Sequence, residues 1–150
     1  MRFVPLLLGV LFLAACAPEE EPLPLVTVYK TPTCGCCALW VEHLEGEGFP
    51  VETVDLPSLD GVKQQYGVPD SLASCHTGVV DGYVVEGHVP AEDVRRLLRE
   101  RPEAGGLAVP GMPVGSPGME VPDGRTEPYA VLLIRDGAAD VFSRHGTPSP

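Results

Sequence analysis

Three cysteines fall within four residues, Cys34-Gly35-Cys36-Cys37, where a strand-like run gives way to a helix-like one. Upstream, Leu25-Val26-Thr27-Val28-Tyr29 is short, apolar and β-branched, as a buried strand requires, and Thr31-Pro32-Thr33 breaks it. Downstream, Leu39, Trp40, Val41 and Leu44 recur at three- and four-residue spacing, predicting a helix that Gly46 and Gly48 stop. The junction constrains chemistry as well as fold. Adjacent cysteines bridge each other only through a strained ring, so three clustered thiols make a poor structural staple.

The rest of the chain continues the alternation. Phe49–Leu56 predicts a second strand and Ser58–Tyr66 a short helix. Thr77–Val80 and Tyr83–Glu86 flank Asp81-Gly82, a strong hairpin signal. Pro90 suits a first helical residue, Glu92 and Asp93 suit the helix dipole, Val94, Leu97 and Leu98 form the buried stripe, and Pro102 ends it. The order β-α-β-α-β-β-α, with cysteines directly after the first strand, is a thioredoxin-like arrangement of the α/β class. Glycine and proline, 17 each, crowd into a long loop over residues 102–128. Tyr129–Ile134 and Ala138–Phe142 around Asp136-Gly137 then predict an extra C-terminal β-hairpin. A chain of 150 residues has room for one such core, placed at 25–145, with a disordered tail at 146–150.

Residues 1–15 have the form of a secretory signal: Arg2, the apolar run Phe3–Leu13, then small residues. The run is shorter than the ~20 residues a transmembrane helix needs. Leu13-Ala14-Ala15-Cys16 resembles a bacterial lipobox, which implies a lipoprotein signal peptide, lipidation of Cys16 and membrane anchoring. Residues 16–24, including Glu19-Glu20-Glu21, then form an acidic tether. The expected location is extracytoplasmic, in the periplasm or cell envelope, where disulfides persist. The net charge of −11, with no basic run, excludes nucleic acid as a partner.

The topology brings distant residues together. The third strand should run antiparallel to the first and the fourth antiparallel to the third. One edge of the sheet then collects Cys34–Cys37, Cys75-His76 and His88 from three separate stretches. The amino end of the helix near Cys36 favours thiolate, which both binds metal and attacks disulfides. Pro110-Gly111-Met112 recurs as Pro117-Gly118-Met119, and the thioethers have no apolar face to fill. Thioether is a soft ligand suited to Cu(I) that needs no deprotonation. The last helix carries the chain about 16 Å away from the edge, and an extended run from Pro102 to Met112 can span roughly 33 Å back.

The candidate metal ligands are therefore Cys34, Cys36, Cys37, Cys75, His88, Met112 and Met119. This set exceeds what one Cu(I) ion uses, so several ions could share bridging thiolates. Zinc is the rival metal, because tetrahedral thiolate sites suit it. His76 directly follows Cys75, and both reach one site only if the backbone there is irregular. His43 is expected at the surface, His145 in the tail and Trp40 in the core.

Tyr29–Cys37, Ser74-Cys75-His76-Thr77, Glu86-Gly87-His88-Val89-Pro90 and Pro110–Met119 together resemble the CopG-like family of bacterial periplasmic copper-resistance proteins, over about residues 25–143. The resemblance implies a thioredoxin-like fold and a copper site of cysteines with histidine and methionine help. It also implies a role in handling copper under stress, including Cu(I)/Cu(II) redox chemistry. Three functions follow: a protein that sequesters Cu(I) or transfers it to other periplasmic copper-handling proteins; a thiol-disulfide oxidoreductase with Cys34 as nucleophile and Cys37 as resolving thiol; and a copper oxidoreductase combining the two.

Overall fold

The computed structural model describes residues 22–136 and 138–146. The leader, Cys16, most of the tether and residues 147–150 lie outside that range. The described chain is a mixed α/β fold with one seven-stranded sheet and three α-helices. No helix among the described residues is long and apolar enough to cross a membrane.

Strand β1 (Val26–Lys30) forms where the β-branched run predicts it, with Val26 and Val28 wholly buried. Helix α1 (Gly35–Gly46) starts directly after Cys34 and buries Cys37, Trp40, Val41 and Leu44. Leu39, expected in that stripe, is half exposed: it stands one residue before Trp40, about 100° round the helix from the core-facing side. Strand β2 (Val51–Asp55) returns parallel to β1, and helix α2 (Asp60–Gln65) follows. Strands β3 (Thr77–Val80) and β4 (Tyr83–Glu86) run antiparallel to each other, and β3 runs antiparallel to β1. In register, Tyr29 opposes Thr77 and Thr77 opposes Glu86. The end of β1, the start of β3 and the end of β4 thus share one edge.

Helix α3 (Ala91–Glu100) begins one residue later than expected, because Pro90 keeps an extended ψ of 141° and precedes the first turn. A strand absent from the sequence reading, β5 (Gly106–Ala108), interrupts the predicted loop. It pairs parallel with β4 on one side and antiparallel with β6 (Tyr129–Arg135) on the other. Its three residues are all buried, but so short a run carries no periodic signal. Strand β7 (Ala138–His145) pairs antiparallel with β6 and completes the order β2-β1-β3-β4-β5-β6-β7. His145, expected in the tail, is therefore in a strand.

Alternation along the strands sends apolar side chains to both faces. Val85 joins the main core with Val28, Trp40, Leu44, Val94 and Leu97 from β1, α1 and α3. Its neighbour Val84 joins a smaller cluster with Val68, Leu72, Ala108 and Ile134. Helices α1 and α3 pack together through a polar contact as well: the Ala91 N–H donates to His43 Nε2 at 3.1 Å. His43 is half-buried by this contact and not a surface residue as expected, and burial lowers its pKa.

Candidate metal centre

The cysteine cluster stands at the amino end of α1. Cys34 precedes the first turn with extended backbone, Cys36 is half-buried and Cys37 fully buried. The first turn carries no acidic side chain to oppose thiolate formation. Cys34 and Cys37 are joined by a disulfide, with Cα atoms 5.3 Å apart, while Cys36 and Cys75 are free. Cys36 Sγ lies 3.6 Å from Cys34 Sγ and 4.0 Å from Cys75 Sγ, and Cys37 Sγ lies 3.6 Å from the Cys75 carbonyl oxygen. Four sulfurs from two segments thus gather within one metal-sized volume.

Two imidazoles complete the gathering. Cys75 Sγ is 3.1 Å from His88 Nε2 and 3.2 Å from His76 Nδ1. His88 Nδ1 lies 2.8 Å from the Pro117 carbonyl oxygen, to which only an N–H can donate. That bond fixes the tautomer and leaves the Nε2 lone pair facing Cys75. His76 is wholly buried, its ring 4.4 Å from Trp40 and 5.0 Å from His88. Its Nε2 has no hydrogen-bond partner among the described residues. Trp40 itself is core, as expected, and donates its Nε1–H to the Val89 carbonyl at 2.8 Å.

The electrostatics follow from burial. Desolvation drives His76 down to about 3, and His88 is lowered by the same cause against the opposing pull of Pro117 and Glu120. Both rings are neutral at pH 7 and keep a lone pair for a metal. Cys75 is pushed up to about 11, by burial first and by the neighbouring Cys36 second. It is a thiol at pH 7, hydrogen-bonded to imidazole, until something displaces its proton.

The Pro-Gly-Met loop is fastened to this edge at both repeats. The Ser74 hydroxyl donates to the Gly111 carbonyl at 2.7 Å, next to Met112. Gly118, next to Met119, lies so close to α1 that a Cβ would come within 2.8 Å of the Trp40 nitrogen and 2.9 Å of the Cys36 oxygen. Met112 is half exposed, beside Pro110, Pro113 and Tyr129, and Met119 is partly buried. The backbone beside each methionine is thus held next to Ser74 and α1.

Sequence reasoning placed Cys34, Cys36, Cys37, Cys75 and His88 at one edge, and the structure brings them together. The sequence leaves His76 conditional on an irregular backbone, since adjacent residues of extended chain point apart; the chain is bent at Cys75, just before β3, and His76 Nδ1 lies 3.2 Å from the Cys75 sulfur. It assigned nothing to Glu86, whose buried carboxylate accepts from the Ser74 N–H at 2.6 Å and the Thr77 hydroxyl at 2.7 Å and pairs with Lys63. The signal was available: a glutamate closing an otherwise apolar strand must have partners. A second group, Glu92, Asp93 and His145, lies at the start of α3. Asp93 takes the His145 Nε2 contact at 2.6 Å and the Ser143 hydroxyl at 2.8 Å, which ties β7 to the helix.

A family model described as "Protein of unknown function, DUF411" matches residues 72–119, the stretch holding Cys75, His76, His88 and both loop methionines. No curated protein matches the chain. Two solved structures are similar to it, titled "Copper resistance protein copG", Forms 1 and 2. Each is 48% identical with a TM-score of 0.78, and they cover 85% and 83% of this chain and 100% and 99% of their own.

Proposed function

Because the chain belongs to the CopG-like family of copper-resistance proteins, we propose that copper is its cargo, held at the sulfur and imidazole centre and handled in copper resistance or homeostasis. One observation carries this reading. The Cys75 sulfur stands within 3.2 Å of two neutral imidazole nitrogens and 4.0 Å of the Cys36 sulfur, so soft donors from three segments surround one point. Cysteine and histidine in this combination suit Cu(I). Zinc accepts the same donors and is the runner-up.

The finer reading is a protein that sequesters Cu(I), transfers it or cycles it with Cu(II). The joined sulfurs of Cys34 and Cys37 cannot act as thiolates until an external dithiol reductant supplies two electrons to open the bridge, itself becoming a disulfide. Reduction would raise the set from two thiols to four, enough with His76, His88, Met112 and Met119 to hold several ions through bridging sulfur. Closing the bridge would release the two electrons again, reducing two Cu(II) to two Cu(I). The sheet order β2-β1-β3-β4, with cysteines between β1 and α1, supports a thioredoxin-like core for this chemistry. The leader and Cys16 support an extracytoplasmic, lipid-anchored protein that exchanges copper with other periplasmic copper-handling proteins.

A second reading, a thiol-disulfide oxidoreductase using Cys34 and Cys37, is favoured by the bridge at a helix amino end. Cys36 counts against it, since a free thiol 3.6 Å from Cys34 can attack the bridge and divert it. Anaerobic titration of reduced and oxidised protein with Cu(I) and Zn(II), followed by X-ray absorption, tests the proposal. Copper bound through sulfur and nitrogen, with greater capacity in the reduced form, is the expected result. Less than one copper per chain would overturn it. Insulin reduction that survives Cys36→Ser without metal would move the function to the second reading.

A further inference from the structure

Glu86 closes β4 with its side chain wholly buried, and its partners lie on both sides of the Cys75-His76 step. On the amino side the Ser74 N–H donates to Oε1 at 2.6 Å, and on the carboxyl side the Thr77 hydroxyl donates to Oε2 at 2.7 Å. The Lys63 ammonium, reaching in from α2, donates to Oε1 and, at 3.1 Å, to Thr77 Oγ1. The Gly87 N–H, one residue on, donates to the His76 carbonyl at 3.1 Å. Gly87 must be glycine for this fit: at its φ of 72°, a Cβ would come within 2.7 Å of the Ser74 side chain and 2.6 Å of the Val109 oxygen.

In extended chain, adjacent side chains point to opposite faces, yet Cys75 Sγ and His76 Nδ1 are 3.2 Å apart. We infer that Glu86, neutralised by Lys63, is the positioning residue that bends the Cys75-His76 step so that both side chains serve the same metal. The inference rests on the copper reading and goes beyond it by assigning these two residues a role. A buried ion pair is a weak stabiliser, and an apolar pair of similar size would hold α2 to β4 at least as well. What an apolar pair cannot do is fix the backbone N–H before Cys75 and the hydroxyl after His76 at once. Both oxygens of the carboxylate accept from donors here, so glutamine would set an N–H where an acceptor is needed.

The test is made in the full chain. Glu86→Gln alone strands the Lys63 ammonium in a buried site, so the informative protein is the double variant Lys63→Met/Glu86→Gln, which removes both charges. Thr77→Val, which deletes one of the two clamping contacts, carries the same comparison should the double variant fail to fold. Folding is read by circular dichroism, Cu(I) affinity by competition with a chromophoric chelator, and coordination by X-ray absorption. The expected result is a folded double variant that binds Cu(I) about 10–100-fold more weakly, the usual consequence of removing a group that orients a metal ligand, with less imidazole nitrogen around copper. Thr77→Val shifts both readouts the same way by less. A folded variant with wild-type affinity and coordination overturns the inference while leaving the copper reading standing. Failure of the wild type to take up Cu(I) overturns both.

Discussion

Copper(I) uptake should expel a proton from Cys75. Burial, then the neighbouring Cys36, pushes this thiol up to about 11, so at pH 7 it carries its proton. Copper takes the thiolate, so metal and proton compete for the same sulfur. From 11 down to 7 is four units of pH, which at 1.36 kcal/mol per unit masks at most about 5 kcal/mol of affinity. Cys75 is only partly buried, so solvent screens part of this. His76 adds nothing to the proton count, because burial holds it at about 3, and burial lowers His88 as well. Raising the pH strips the competing proton, so Cys75 contributes a roughly tenfold gain in affinity per pH unit across pH 6–8. The assay is Cu(I) affinity against pH by chelator competition under anaerobic conditions, with proton release followed by an indicator dye in weak buffer. Cys75→Ser should lower the slope of log affinity against pH by about one and the release by about one proton per chain, whereas His76→Gln should leave both unchanged. Equal slopes for wild type and Cys75→Ser would refute the reasoning, since the sulfur would then not be exchanging a proton for the metal.

Further expectations concern the apo protein. His76 is pushed down to about 3 from 6.5, so between those values the unfolded chain binds a proton that the folded one refuses. Stability should be whole above pH 6.5 and fall on acidification, by on the order of 2 kcal/mol at pH 5. Urea unfolding at both pH values should find this loss reduced in His76→Leu. Gly118→Ala places a methyl within 2.9 Å of α1 backbone at a φ of +83° and should cost about 1–3 kcal/mol, releasing the methionine loop to proteases. Gly111→Ala, at +71° in open space, should cost only about 1 kcal/mol in the same urea titration. Of Cys34, Cys36, Cys37 and Cys75, two should react with a thiol reagent in the unfolded oxidised protein and all four after reduction.

Local pattern was enough for most of the fold. The β-branched run at Val26–Lys30, the helical spacing of Trp40 and Leu44, and the Asp81-Gly82 turn each act over a few residues and are readable one at a time. β5 is different in kind. Gly106–Ala108 is a strand because β4 and β6 lie on either side of it, and no feature of three residues announces neighbours supplied from residues 83–86 and 129–135. His43 and His145 were misplaced for the same reason. Each is held by a partner far along the chain, Ala91 in one case and Asp93 in the other, and neither contact leaves a local mark.

The centre divides along the same line. Strand direction alone carries Cys34–Cys37, Cys75 and His88 to one edge, so the cysteine set was legible from topology. The participation of His76 depends on a single bend, and that bend depends on Glu86 holding residues on both sides of it. Sequence can state only the condition, an irregular backbone at Cys75-His76, and the carboxylate bonded on both sides of that step lies ten residues further on. The physical cost of Glu86 is itself the clue. A wholly buried carboxylate with a lysine brought in to neutralise it is expensive to keep, and it lies beside the one segment whose backbone must depart from regular strand for a cysteine and the histidine after it to meet the same ion.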